Sequence, residues 1–204
     1  MPRILKKVYY ISLIIGLLVQ TVSAQVKINS ETKEKSDLKK IYKIEIDNYQ
    51  KVQLFRTDYD QYYGFLINKV WKQKRHKRTN DSIIQKIKIP NKEVKELMIN
   101  LEKNGFESLI DCYKIKDCIS GLDGTTITFS FQESDKRNVA SNWELNSDYY
   151  YKQNKVEVPG EVLKARKIYK IINDKYDLEN VFSTFLNRLP KGEYSYGMLI
   201  MTKK

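Results

Sequence analysis

The chain has 204 residues, with 37 lysines and arginines against 25 aspartates and glutamates, and a formal net charge of +12 at pH 7. This length fits one ordinary domain with a hydrophobic core. Its only histidine, His76, lies among lysines and arginines, which argues against a Ser-His-Asp triad. The excess of positive charge favours either anionic partners or a lysine-rich solvated surface.

Residues 1–24 have the pattern of a cleavable secretory signal peptide. Three cations and no acid lie in the first seven residues, an apolar run follows at 8–19, and Ala24 ends a small-residue cleavage site before Gln25. The apolar run is shorter than the roughly 20 residues of a membrane-spanning helix. We therefore expect cleavage, a mature chain without a membrane span, and a periplasmic or secreted location.

Strand-like alternation begins after a polar, flexible lead-in at 25–37, and we predict a single domain over 38–204. Apolar and polar residues alternate in 41–47, and after a turn the chain runs back through 51–56. This arrangement predicts an antiparallel hairpin.

Two further strands and a helix are predicted next. The stretch 62–71 is rich in apolar and aromatic residues, and 83–89 alternates between apolar and polar positions. Asn91 is the predicted cap of a helix, and Gly105 is its C-terminal stop. One face of the stretch 62–71 carries Phe65, Ile67 and Trp71, and the apolar stripe of the helix is Val94, Leu97, Met98 and Leu101.

The clearest strand of the chain is 125–131, and 139–143 is predicted to return beside it. The polar residues of 146–158 predict a loop. Pro159 then opens a helix, and Asp177 caps another one.

After a break at 190–192, the last strand is predicted over 194–201. Strands that are joined by tight turns imply antiparallel pairing. The predicted fold class is therefore α+β, an antiparallel sheet with about three helices packed on one face and one disulfide.

Cys112 and Cys118 are the two cysteines of the chain. In an oxidising compartment such a close pair forms a disulfide, and the chain-entropy model assigns so small a loop about 2 kcal/mol. The spacing is not Cys-x-x-Cys, and no further Cys or His completes a zinc site. Asp111, Asp117 and Asp123 recur every six residues, whereas calcium loops place oxygens at alternate positions. We expect no metal and no cofactor.

The segment from Trp71 to Arg78 concentrates positive charge between two predicted strands. It is a candidate phosphate- or sulfate-binding tip with an aromatic ring for stacking. The alternative is a solvated loop without a ligand. The candidate residues for an anionic ligand are Trp71, Lys72, Lys74, Arg75, Lys77 and Arg78.

Catalytic signals are weak in this chain. No Gly-rich phosphate loop, Gly-x-Ser-x-Gly or His-Glu-x-x-His motif occurs. Carboxylate pairs of the glycosidase type are assembled in space rather than in sequence, so they leave no motif. The carboxylate candidates are Glu107, Glu144 and Asp148.

The segment Gly121-Leu122-Asp123-Gly124-Thr125-Thr126 leads into the phenylalanine-rich strand at 125–131. This Leu-Asp-Gly-Thr turn, together with the strand and helix around Ile89-Pro90-Asn91 and a later helical segment, resembles small exported bacterial proteins of uncharacterised function. The resemblance covers residues 83–185. It implies an envelope or secreted location and assigns no functional residue.

These patterns predict an exported, non-enzymatic domain that binds an anionic ligand or an envelope partner. One alternative is a secreted inhibitor or immunity protein that contacts a toxin or hydrolase through loop-borne aromatic rings. A second alternative is a carboxylate-based hydrolase. The candidates for contact with a protein partner are Tyr149, Tyr150 and Tyr151.

Overall fold

The computed structural model describes residues 38–74 and 77–204, of which those in 39–204 form one compact unit. The predicted signal peptide at 1–24 and the lead-in at 25–37 lie outside the described residues. No helix within the described part is long and apolar enough to cross a membrane. The strands are β1 Leu38–Ile46, β2 Gln50–Thr57, β3 Tyr62–Lys74, β4 Lys77–Ile89, β5 Thr126–Glu133, β6 Lys136–Trp143, β7 Gly192–Tyr196 and β8 Leu199–Lys203, and the helices are α1 Asn91–Lys103, α2 Tyr149–Gln153, α3 Gly160–Tyr176 and α4 Leu178–Asn187.

The strands form one antiparallel sheet that curls into a half-barrel. Its order is β6–β5–β1–β2–β3, and β4 pairs with the other edge of β3. The β7–β8 hairpin lies beside the distal part of β3, where Trp71 is opposite Ser195. Three neighbours therefore converge on β3, and this strand leads directly into the basic segment.

One face of the sheet and the buried stripes of the helices form the hydrophobic core. β1 alternates as predicted, because every second residue from Tyr42 to Ile46 is buried. Gly64 of β3 lets α1 approach closely, since a Cβ at this position would lie 3.0 Å from the Cγ2 of Val94. The predicted stripe of α1 is confirmed as its buried face, Val94, Leu97, Met98 and Leu101.

The α+β class, the antiparallel sheet and the disulfide between Cys112 and Cys118 are confirmed. The described residues contain four helices rather than about three, because α2 forms where the polar pattern of 146–158 predicts a loop. This single helical turn is too short to carry an apolar stripe, so the sequence pattern does not predict it. It is anchored by one buried ring, that of Tyr151.

The prediction of one last strand over 194–201 is wrong. A turn divides this stretch into β7 and β8, and Gly197 adopts a φ of 51° within it. Glycine reaches this left-handed region without a steric penalty. The aromatic and apolar residues on both sides of the turn continue the strand pattern and hide the break.

The predicted helix caps have mixed outcomes. Asp177 caps α4 as predicted, and its carboxylate accepts a hydrogen bond from the N–H of Asn180 at 3.4 Å. Asn91 does not cap α1, because the helix begins at this residue and Pro90 takes the cap position without a side-chain bond. Gly105 follows the end of α1 with a φ of 80°, as a C-terminal stop requires.

Candidate anion-binding site

The basic segment forms the end of the β3–β4 hairpin, whereas the sequence pattern predicts a loop between two strands. β3 continues to Lys74 and β4 begins at Lys77, and the register sets these two residues opposite each other. Like charges at directly opposite positions destabilise a strand pair. The register therefore sets two lysines at paired positions at this end of the sheet. Arg75 and His76 lie outside the described residues.

The candidate cations do not share one face of the hairpin. Trp71 lies on the face opposite to the helices, and the Nζ of Lys69 lies 4.5 Å from the centre of its ring, a cation–π contact. Lys72 and Lys74 occupy alternate positions and are exposed. The structure thus places an additional cation, Lys69, next to the predicted aromatic residue and directs two of the predicted cations to the other face.

A pairing irregularity lies at the same place. Trp71 is opposite Ser82, but Gln73 is opposite Arg78, so β4 holds two more residues than β3 between these pairs. The Nε2 of Gln73 donates a hydrogen bond to the Oγ of Ser195 on β7. Bulges of this kind bend a strand and redirect its side chains. Next to this irregularity, β3 is therefore attached to a third strand.

A separate cavity of about 590 Å³ lies on the helix side of the sheet. Two carboxylates line it, Glu144 just after β6 and Glu179 in α4, and its wall includes the rings of Tyr49, Tyr169 and Phe182. Carboxylate oxygens accept hydrogen bonds, and tyrosine hydroxyls both donate and accept them. The cavity therefore suits a ligand that carries hydroxyl or ammonium groups.

Glu144 is held in place by the backbone of Thr125. Its Oε1 accepts a hydrogen bond from the Thr125 N–H at 2.6 Å, and its own N–H donates to the Thr125 carbonyl at 2.8 Å. A Cβ at Gly124 would lie 2.5 Å from the same Oε1, and Gly124 has a φ of 124°. The glycine of the Asp123-Gly124 turn is therefore required both by the backbone and by the packing of this carboxylate.

Burial shapes the protonation of the groups around the cavity. It raises the pKa of both Tyr49 and Tyr169, and the charge of Glu179 adds to the effect on each. Burial also raises the pKa of Asp47, a backbone N–H bond partly opposes this, and the nearby charge of Glu144 adds to it. The two tyrosines therefore remain protonated donors at neutral pH, in an acidic region of a basic protein.

The other two carboxylate candidates are engaged in ion pairs outside this cavity. Glu107 accepts hydrogen bonds from the Nζ of Lys40, at 2.7 Å, and from the hydroxyl of Tyr42. Asp148 pairs with Arg166 at 2.6 Å. These contacts join β1 to the chain after α1 and α3 to the segment before α2, so both carboxylates have structural roles.

The three tyrosines of α2 have different environments. Tyr151 is only 5% exposed, and its hydroxyl accepts from the N–H of Ile119 at 3.4 Å. The ring of Tyr150 packs 4.5 Å from that of Trp143. Tyr149 is 63% exposed. Of the three candidate residues for contact with a protein partner, Tyr149 is therefore exposed, Tyr150 is partly covered by Trp143, and Tyr151 is buried.

Sequence reasoning missed Lys69 and Glu179. The alternation of β3 already places Lys69 on the face of Trp71, so this signal was present in the sequence. Glu179 lies in the first turn of α4 after its Asp177 cap, but nothing in the sequence relates this turn to Glu144, 35 positions earlier.

Known proteins give no further guide to these sites, because no protein-family model matches the chain and no curated protein matches it either. The charges, contacts and strand register of the described residues therefore carry the functional proposal.

Proposed function

We propose that this protein is an exported, non-enzymatic binding domain for an anionic ligand, which is held at the end of the β3–β4 hairpin. The observation that carries this proposal is the register, which sets Lys74 opposite Lys77 beyond the Lys69–Trp71 pair. A phosphate, sulfate or carboxylate group between these positions offsets the repulsion of the cations.

Export is supported by features that are independent of the hairpin. The predicted signal peptide at 1–24 directs the chain out of the cytoplasm. The disulfide between Cys112 and Cys118 belongs to an oxidising compartment. Both features support a periplasmic or secreted location, in which the ligand is an anionic component of the envelope or the surroundings.

Neutralising the hairpin end tests this function. We expect the variant that combines K74Q, R75Q, K77Q and R78Q to lose its salt-sensitive retention on immobilised heparin. Interactions between exposed charges are screened over about 8 Å at physiological salt, so retention must depend on cations that touch the ligand. The measurement is the salt concentration at which each protein elutes.

A charge-matched control separates this site from net charge. Exposed lysines on the helices provide the same number of substitutions, K92Q, K103Q, K152Q and K167Q. Elution of this control close to the wild-type salt concentration, together with early elution of the hairpin variant, supports the proposal. Equal elution of the two variants contradicts it, because retention then follows net charge alone.

A carboxylate-based hydrolase is the second candidate, because Glu144 and Glu179 line the same cavity. Glycosidases place two carboxylates on either side of the bond that they cleave. On this hypothesis the wild-type protein releases reducing ends from a polysaccharide, and both E144Q and E179Q abolish that release. A wild-type protein that releases none rejects the candidate for the polysaccharides tested.

A further inference from the structure

The sheet has a second face, opposite to the helices, that carries a row of aromatic side chains. The β2–β3 register pairs Phe55 with Tyr63 and Gln53 with Phe65, and Trp71 follows on the same face of β3. These rings are half-buried, while the residues between them point into the core. The buried side chains of all four described helices belong to the core clusters on the other face.

Positive charge surrounds this aromatic row. The carboxylates of Glu45 and Glu193 lie on the same face, and that of Glu45 is 2.7 Å from Lys51 and 3.9 Å from Lys43. Ile84 and Val139 add apolar surface, with exposures of 57% and 54%. The cations on this face are Lys43, Lys51, Lys69, Lys86, Lys88 and Arg137. A surface of this charge complements an anionic chain.

The rings of the row are packed against each other or beneath ammonium groups. The Nζ of Lys86 lies 3.7 Å from the centre of the Phe65 ring, and Phe55 stacks on Tyr63 at 4.8 Å. Sheets that bind single-stranded nucleic acid present open ring faces on which bases stack. Here the rings hold cations and one another, so this face meets a ligand mainly through ammonium groups.

A groove of about 260 Å³ opens on the same face, between β1, β2, β5 and β6. It combines two cations, two amides and a hydroxyl with an apolar wall that includes two phenylalanine rings. Such a lining matches a ligand that carries acidic groups, many hydroxyls and an apolar ring face, as sulfated sugars and sugar acids do. The polar residues of this lining are Lys43, Gln53, Ser130, Gln132 and Arg137.

We propose that an acidic polysaccharide, with carboxylate or sulfate groups, lies across this face from the groove to the Lys69–Trp71 pair. This inference rests on the proposed function, since it names the class of the anionic ligand and adds a binding surface beside the hairpin end. The register sets Lys51 and Lys86 on either side of Ile67. With a strand spacing of about 4.8 Å, these lysines lie about 10 Å apart, so successive acidic groups of one chain reach successive cations.

Size-defined heparin fragments test the extended site by titration calorimetry. We expect the face variant K51Q/K86Q/K88Q to bind a long fragment at least tenfold more weakly than the helix-side control K92Q/K103Q/K167Q. A tetrasaccharide is too short to span both the hairpin end and the groove, so we expect both variants to bind it about equally. Equal affinity of the two variants for the long fragment overturns the extended site.

A charge-preserving variant separates electrostatics from packing. K51R/K86R/K88R keeps every cation on the face, and we expect it to bind the long fragment within about twofold of the wild type. If it binds as weakly as the glutamine variant, the loss reflects altered packing of the sheet and the extended site is overturned. Thermal unfolding of each variant confirms that the sheet is intact.

The hairpin variant distinguishes failure of this inference from failure of the proposed function. Loss of binding in the hairpin variant alone overturns the extended site and leaves the proposed function standing. Loss in neither variant overturns both. A single-stranded oligonucleotide of equal charge is compared with heparin at the same salt concentration. If the oligonucleotide binds more tightly, the proposal of a polysaccharide ligand is overturned and the ligand class is a nucleic acid.

Discussion

Lys40 is a buried cation that forms ion pairs with three carboxylates. Its side chain is 6% exposed, and its Nζ lies 2.7 Å from Glu107, 3.3 Å from Glu102 and 3.6 Å from Glu133. Burial alone lowers the pKa of Lys40, but its bonds to the carboxylates outweigh burial and raise it. For Glu107, burial alone raises the pKa, while hydrogen bonds from Lys40 and Tyr42 bring it below its ordinary value of 4.5.

The substitution Glu107→Gln tests this cluster. We expect it to lower the free energy of unfolding by about 1–3 kcal/mol at pH 7, because it removes one partner of a buried charge. The folded-state pKa of Glu107 is depressed, so its contribution is present above 4.5 and is lost as the pH falls through the folded value. Urea unfolding at pH 7 and pH 3 measures both effects.

Glu102→Gln is the matched control, since this carboxylate binds the same lysine but its side chain is 53% exposed. Its effect should be smaller, because exposed ion pairs contribute little. A Glu107→Gln effect of the same size at pH 7 and pH 3 would falsify the charge-based explanation.

Single residues also show what the sequence could not decide. Alternation predicts that Phe65, Ile67 and Trp71 share a face, and the register confirms it. The opposite face of β3 carries Leu66 and Val70, which are also apolar. Alternation cannot tell which of two apolar faces receives the helices. Only the structure shows that the helices pack on the face of Leu66 and Val70, not on the face of Phe65, Ile67 and Trp71.

Among the elements, the connection between α1 and β5 depends most on one covalent bond. It contains only two short 3₁₀ turns, Phe106–Ser108 and Cys112–Lys114. Asp111 attaches it to the edge of β6 by accepting a hydrogen bond from the N–H of Ser141 at 3.0 Å. The disulfide between Cys112 and Cys118 closes the loop beside this attachment.

Replacing both cysteines by serine should lower the free energy of unfolding by about 2 kcal/mol, since the unfolded chain regains the entropy of the small loop. Urea unfolding of the double variant measures this change, and the wild-type protein in reductant should show the same decrease. If the free energy of unfolding is unchanged in reductant, this prediction is contradicted, and the hydrogen bonds of the connection stabilise it instead.

The elements that alternation or an apolar stripe describes were predicted well. Strands β1, β2, β3, β5 and β6 and the long helices α1, α3 and α4 all have such a pattern, because each buries one face. β4 begins at Lys77, before the predicted start at 83, and of its described side chains only Ile89 is buried. α2 and the β7–β8 turn were missed for a common reason. α2 is one turn long, and the turn at Gly197 interrupts an apolar stretch, so periodicity carries no information about either.

Across the whole domain, the two carboxylates of the cavity and the lysines of the aromatic row lie on opposite sides of one sheet. The helix side holds the cavity of Glu144 and Glu179, and the other side holds the lysines of the aromatic face. The net charge of +12 predicts a basic surface but not this division. The pleat places these lysines on one face of the strands, whereas Glu144 follows β6 and Glu179 lies in α4.

The proposed location concerns the molecule as a whole and can be tested by mass. When the full chain is expressed in a bacterium, we expect the exported protein to begin at Gln25, because the apolar run at 8–19 is too short to retain it as an anchor. Removal of residues 1–24 takes away three cations and no acid. Intact mass spectrometry of the periplasm and culture medium measures the cleavage site and the oxidation of the cysteine pair together.

Replacing Ala24 by a bulky residue should leave the uncleaved precursor, since the cleavage site requires a small side chain. A cytoplasmic chain that keeps residues 1–24 and two reduced thiols contradicts export, and the ligand of the hairpin would then have to be sought among the anions of the cytoplasm.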